Sequence, residues 1–245
     1  MAASDDPALV RRAQLVDLAR AVPLGVLLPL ETSVLVTIAL KNFDAPGVVK
    51  GVIAAANGVG LLATPFVTSW ARRWGRPVMV PVAVLSFVGM LGFLAAATGA
   101  LPLFVIGSVV GIAMVNAMYT LVTVSYERNF PPRELGRRVG WGLSMKVLVS
   151  ATVGLGMGAY LNAEPDRWWV VVLAGAVASA ALIVLNLKVP SEPLAKVPGV
   201  RDNGWPHFHL LAEDRRLRLT LGAWMLMGFG NLMLSPLRVE YLGNS

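Results

Sequence analysis

Seven long apolar runs constrain the fold of this chain more than any other feature. Each has about the 20 residues that a helix needs to cross roughly 30 Å of hydrocarbon at 1.5 Å per residue. Only 14% of the 245 residues are charged, against roughly a quarter in a soluble domain. The sequence therefore predicts an all-α integral membrane protein that crosses the bilayer several times. The expected spans are 21–40, 49–69, 78–97, 102–124, 139–161, 168–187 and 217–237.

These runs divide the chain into four parts. Residues 1–20 alternate charged and apolar positions, and we expect them to form an amphipathic lead-in on the cytoplasmic surface. Residues 21–187 are expected to form a six-helix bundle. Residues 188–216 are rich in proline and charge, which is typical of a cytoplasmic linker. Residues 217–245 hold the seventh span.

Lysine and arginine predict which side of the membrane each segment occupies. The N-terminal segment, two loops and the stretch 188–218 carry sixteen of the 21 basic residues, whereas the opposite loops hold only Lys41, Lys50 and Arg167. Basic residues are retained on the cytoplasmic side. We therefore expect a cytoplasmic N-terminus and a place in the plasma (cell inner) membrane. Because this distribution explains the net charge of +7, we expect no nucleic-acid partner.

Glu31 is the first of several polar residues inside the predicted spans. A carboxylate within hydrocarbon is costly unless it has a partner or a function. The neighbouring Pro29 has no backbone N–H to donate, so it disturbs the preceding turn. Glu31 is thus a candidate for a protonatable coupling or solute-contact group. The alternative is a buried carboxyl paired with Lys146 of the fifth span, and both interpretations can hold together.

A polar stripe follows one face of the fourth span. Asn116, Tyr119, Thr120 and Thr123 recur at i, i+3, i+4 and i+7, the spacing of one helix face. Four hydrogen-bonding side chains in a row would be unfavourable against lipid, so we expect this face to border a water-filled cavity. Hydrogen bonds between helices are the alternative. Asn231 of the seventh span is a further candidate contact, although isolated amides commonly join helices.

No recognised catalytic motif is present. The sequence lacks the Gly-x-Ser-x-Gly, His-Glu-x-x-His and phosphate-loop patterns, and it has no cysteine. Its two histidines, His207 and His209, are too few to hold a metal ion. We therefore expect no catalytic activity, no cofactor and no metal site.

Small residues four apart predict close contacts between helices, because they let two backbones approach each other in a membrane. Such pairs occur in three spans: Gly51/Ala55 and Ala54/Gly58 in the second, Gly107/Gly111 in the fourth and Gly154/Gly158 in the fifth.

Several of these features resemble the major facilitator superfamily of secondary transporters. The Arg73-x-Gly75-Arg76 stretch is similar to that family's signature Gly-x-x-x-Asp-Arg-x-Gly-Arg, with arginine at the acidic position 72 and threonine at the leading position 68. Residues 127–138 resemble its second basic cytoplasmic loop. Residues 154–158 resemble its glycine-rich antiporter motif, but leucine stands at position 155 where that motif has proline. Six spans, a long linker and a further span fit the same layout.

The resemblance implies two six-helix halves that enclose one central site and expose it alternately to either side of the membrane. Spans 1, 4 and 7 line that site in the family, so Glu31, Asn116 and Thr120 fall where the resemblance places solute contacts. It also implies a gating loop that contains Arg73, Gly75 and Arg76.

The family has twelve spans, whereas this sequence ends shortly after the seventh. Residues 218–222 resemble residues 20–25, as the start of a second repeat would. We therefore expect a truncated sequence from a secondary active transporter, with lipid, a small solute, protons and its own C-terminal half as partners. The alternative is a non-transporting membrane subunit that packs against another membrane protein through the small-residue faces.

Overall fold

The computed structural model describes residues 7–194, 213–223 and 225–228. Within these ranges the chain is helical with no β-strand, and six helices are long and apolar enough to cross a membrane. The prediction of an all-α membrane bundle is confirmed. The six helices are α1 (Pro7–Phe43), α2 (Gly47–Trp74), α3 (Met79–Ala96), α4 (Leu101–Asn129), α5 (Pro132–Ala163) and α6 (Trp168–Lys188).

Two of the helices change geometry along their length. Helix α1 has a π-helical turn at Leu30–Val34, between α-helical segments Pro7–Pro29 and Leu35–Phe43. The turn begins directly after Pro29, whose missing N–H interrupts the regular hydrogen-bond ladder. Helix α4 consists of Leu101–Ala117 and Tyr119–Asn129, with a break at Met118.

The N-terminal lead-in differs from our expectation. Residues 7–20 are not a separate surface segment, because they form the first turns of α1. Val10 and Ala13 are buried against Phe130 at the end of α4. Asp17 and Arg20, on the same face at i+7 and i+10 from Val10, are also buried. Packing of this one face holds the segment in the bundle.

The turn between α2 and α3 is also shorter than expected. The prediction treated residues 70–77 as a loop, but α2 remains helical to Trp74. Gly75 then ends the helix in a left-handed conformation with φ of 66°, which glycine adopts without steric cost. Arg73, Gly75 and Arg76 are all exposed at this turn.

The bundle is built around contacts of α3 with α4 and α6, and of α1 with α5 and α6, while α2 packs on α4. Large apolar side chains fill the space between them, among them Leu35, Ile38, Phe93, Phe104 and Leu182. Helices α2 and α5 are the least buried of the six.

The small-residue pairs differ in how closely they contact a neighbouring helix. The pair in α4 is confirmed as a close contact: a Cβ on Gly107 would overlap the carbonyl oxygen of Gly92, and one on Gly111 would lie 2.8 Å from the ring of Phe93. In contrast, a Cβ on Gly51, Gly58 or Gly158 would meet nothing within 4 Å. The close packing of α3 on α4 therefore depends on glycine. Of the other pairs, Gly154 faces Pro29 of α1 at an ordinary contact distance and Ala54 packs against the core.

Replacing Gly107 with alanine is expected to destabilise the protein by about 1–3 kcal/mol, because the added methyl group would overlap a backbone oxygen. The thermal midpoint in detergent micelles measures this loss. Gly158→Ala is the matched control, and it should leave the midpoint unchanged or slightly raise it, since alanine favours a helix. Equal midpoints for the two variants would contradict the tight α3–α4 contact.

Candidate solute and proton site

Glu31 lies in the π-helical turn of α1 and is held by an amide from α4. The Asn116 Nδ2 donates a hydrogen bond to the Glu31 Oε1 at 2.7 Å and another to the Ile112 carbonyl oxygen at 3.0 Å. Asn57 of α2 also interacts with this carboxyl group through its side chain. π-helical turns of this kind are frequent at functional sites. Three helices thus converge on one carboxyl group inside the bundle.

Lys146 of α5 is held by a tyrosine rather than by an acid. Its Nζ donates a hydrogen bond of 2.6 Å to the Tyr119 hydroxyl and lies 4.9 Å from the centre of that ring. The ammonium group is close enough to Glu31 for the two charges to interact. No ion pair within 4.0 Å joins Lys146 to any carboxylate of the described residues. The direct Glu31–Lys146 pair of our alternative interpretation is therefore not formed.

The polar stripe of the fourth span is divided between two partners. Asn116 contacts Glu31, and Tyr119 contacts Lys146. Thr120 and Thr123 are exposed, and the Thr123 hydroxyl donates to the Tyr119 carbonyl oxygen of its own helix. Met118, between these two residues, keeps a right-handed helical conformation with φ of −76° and ψ of −20°, so the stripe stays on one helix and is divided only by its partners. Whether this face borders water remains a prediction.

A second charged cluster near the start of α1 was not predicted. Asp17 Oδ1 accepts a hydrogen bond of 2.7 Å from the Tyr126 hydroxyl and one of 3.3 Å from Arg20 Nη1. Arg20 is only 1% exposed, and its Nε and Nη2 have no hydrogen-bond partner among the residues that the structure describes. The sequence did carry a signal for this cluster. Tyr126 follows Tyr119 at i+7, and Asp17 and Arg20 are three apart on one helix face.

A cavity of about 180 Å³ lies between α1, α4 and α5. Both the Lys146–Tyr119 pair and the Asp17–Tyr126 pair line it. Its polar lining is formed by Asp17, Tyr119, Thr123, Tyr126 and Lys146. Leu24, Val122 and Leu143 are among its apolar lining residues. The cavity therefore combines one carboxylate, one ammonium group and two phenolic hydroxyls with an apolar wall.

Other candidate residues lie elsewhere. Arg73, Gly75 and Arg76 do not line this cavity, and their gating role remains a prediction. Asn231 lies outside the described residues, as does the linker stretch 195–212. Among the described residues, no group of three or more acidic or histidine side chains is placed to hold a metal ion.

Comparison with known proteins gives one family. The model of the Major Facilitator Superfamily matches residues 24–244, which is most of the chain. Searches of curated proteins and of solved structures found no match. The matched range includes all of α2 to α6, and the all-helical bundle of membrane-length helices is consistent with this assignment. The chain belongs to the Major Facilitator Superfamily, a family of membrane transporters.

Proposed function

We propose that this protein is a secondary active transporter that moves a small solute by alternating access and couples the movement to protons through Glu31. The observation that carries the proposal is the Glu31 carboxyl group, which lies in a π-helical turn within a membrane-length helix and accepts a hydrogen bond from Asn116. Ionisable residues inside membrane helices commonly mark ion and proton pathways.

The coupling follows from the cost of an ionised group in a membrane. An ionised carboxyl group needs water, a hydrogen-bond donor or a cation nearby, and moving it through a dry state is costly. Asn116 supplies a donor and Lys146 supplies a nearby positive charge. A proton on Glu31 removes the negative charge, so the balance between the two conformations of the transporter depends on protonation. This dependence would link proton movement to solute movement.

The orientation and the partners belong to the same proposal. We place the N-terminus in the cytoplasm and the protein in the plasma (cell inner) membrane, because most basic residues occupy the segments on that side. We propose that a second bundle from the same transporter completes the solute cavity. The family match supports this, because it continues beyond α6 to residue 244. No catalytic step is part of the proposal.

Uptake by proteoliposomes tests the proposed function. The protein is expressed from its full gene and reconstituted into liposomes. A mixture of metabolites is then added outside the vesicles, either at equal internal and external pH or with a proton gradient in one direction or the other. Mass spectrometry of the vesicle contents then measures which solutes accumulate.

We expect at least one solute to accumulate only when a gradient is present, and a protonophore should abolish that accumulation. Contents equal to those of empty liposomes under every gradient would contradict transport. Accumulation that is unaffected by the gradient and by the protonophore would contradict proton coupling.

A further inference from the structure

We infer that the solute is a small organic anion with one negative charge and an apolar body, and that its anionic group binds Lys146 in the cavity between α1, α4 and α5. This inference rests on the proposed function, because it names the class of solute that the transporter would carry. It depends on the charges that line the cavity and on how each is already balanced.

Lys146 is the cation that lines the cavity, and no carboxylate of the described residues lies within 4.0 Å of its ammonium group. Its contacts within the described residues are a hydrogen bond to the neutral Tyr119 hydroxyl and a position 4.9 Å from that ring. An ammonium group has three donors, so it can bind an incoming carboxylate without losing Tyr119. Hydrogen bonds between two charged groups are about twice as strong as those between neutral groups.

Asp17, the carboxylate that lines the cavity, already has hydrogen-bond donors of its own, and this disfavours a cationic solute. Asp17 accepts hydrogen bonds from both Arg20 and Tyr126. A cation that displaced Arg20 would leave this guanidinium, which is 1% exposed, without its carboxylate partner. Leaving a buried charge unpaired is strongly unfavourable. The Asp17–Arg20 pair is thus neutral as a unit, and Lys146 alone is available to a charged solute.

The remaining surface of the cavity limits the body of the solute. Leu24, Val122 and Leu143 give an apolar wall, and the Tyr119 and Tyr126 side chains line the cavity beside it. This volume of about 180 Å³ belongs to one bundle alone, and the second bundle proposed above would enlarge it. A carboxylate with an apolar body fits this combination of one free ammonium group and an apolar wall.

The charges around Lys146 also link anion binding to protonation. Tyr119 of α4 accepts a hydrogen bond from its ammonium group, Glu31 of α1 interacts with its charge, and Asp17 and Tyr126 line the same cavity. When Glu31 is ionised, its charge balances that of Lys146. When Glu31 takes up a proton, one positive charge remains, and the solute anion can neutralise it. The anion and one proton therefore bind together, and their transport moves no net charge.

Isothermal titration of the purified full-length protein tests this inference. The probes are acetate, butyrate and benzoate, each paired with an amine of the same shape: ethylamine, butylamine and benzylamine. Titration in buffers with different ionisation enthalpies measures the protons taken up with each bound probe.

We expect at least one carboxylate to bind saturably with uptake of about one proton, and its amine counterpart not to bind. Lys146→Gln should weaken binding about tenfold or more, the change expected for losing a hydrogen bond between charged groups. Lys146→Arg should restore part of the affinity. Lys41→Gln, at an exposed lysine near the other end of α1, is the control and should bind normally. Glu31→Gln should bind the anion without taking up a proton.

Several results would overturn the inference. Binding of an amine in place of its carboxylate would assign a cationic solute, and binding of no carboxylate would exclude this class. Normal carboxylate affinity in a folded Lys146→Gln protein would remove Lys146 from the site. Each of these results leaves the proposed function standing if another solute accumulates under a proton gradient. Failure of gradient-driven accumulation would instead overturn proton-coupled transport itself.

Discussion

Replacing Asp17 with alanine is expected to lower the free energy of unfolding by about 3–5 kcal/mol, the usual cost of removing one partner from a buried ion pair. The expected loss is large because Arg20 would remain buried after its partner is removed. Arg20 is 1% exposed and donates Nη1 to Asp17 at 3.3 Å, while its Nε and Nη2 already lack acceptors. Without Asp17 the guanidinium group would be buried without its carboxylate partner, and the Tyr126 hydroxyl would lose its acceptor as well.

Denaturant titration in detergent micelles, followed by tryptophan fluorescence, measures this loss. Glu164→Ala is the matched control, because Glu164 and Arg167 form an exposed pair at 3.9 Å and such pairs contribute about 1 kcal/mol or less. Adding Arg20→Met to Asp17→Ala should recover most of the stability, since the double variant removes both charges. Similar losses for Asp17→Ala and Glu164→Ala would contradict a buried, paired Asp17.

The seventh expected span, 217–237, extends beyond the described residues and stays a prediction. The first six each correspond to a membrane-length helix, and they could be predicted because an apolar run must be long enough to cross the hydrocarbon. Their ends could not, since a helix can continue beyond the hydrocarbon into polar residues. Helix α5 begins at Pro132 rather than at residue 139, and α2 continues to Trp74 rather than ending at residue 69. The break at Met118 also had no signal, because neither proline nor glycine stands at that position.

The polar residues of the site were predictable one at a time, because each is costly in hydrocarbon. Their pairing was not, because it depends on how the helices are placed against each other. At Gly25, for example, a Cβ would lie 2.8 Å from the carbonyl oxygen of Lys146. This close approach of α1 and α5 sets the height of Lys146 relative to Glu31. The sequence of neither helix by itself indicates this close approach.

Asp17 and Arg20 were misplaced for a different physical reason. Charges near the start of an apolar run are typical of a membrane surface. Two opposite charges three residues apart can neutralise each other, however, and then enter the bundle as a pair. The spacing of Asp17 and Arg20, together with that of Tyr119 and Tyr126, was the signal for this buried position.

Replacing Glu31 with glutamine is expected to abolish proton-driven accumulation of the solute while leaving its binding intact. Glutamine has nearly the same size and can still accept the hydrogen bond from Asn116, but it can neither take up nor release a proton. The variant therefore resembles the transporter with Glu31 permanently protonated. It should still exchange labelled for unlabelled solute when both sides of the membrane hold the same concentration.

The comparison of net accumulation with exchange in proteoliposomes of Glu31→Gln tests the central claim most directly. Glu164→Gln, at an exposed carboxyl group, serves as the control and should accumulate solute normally. We predict that Glu31→Gln accumulates no more solute than empty liposomes under a proton gradient, yet exchanges solute at a rate close to that of the unmodified protein. Accumulation by Glu31→Gln with unchanged dependence on the proton gradient would contradict the coupling role of Glu31.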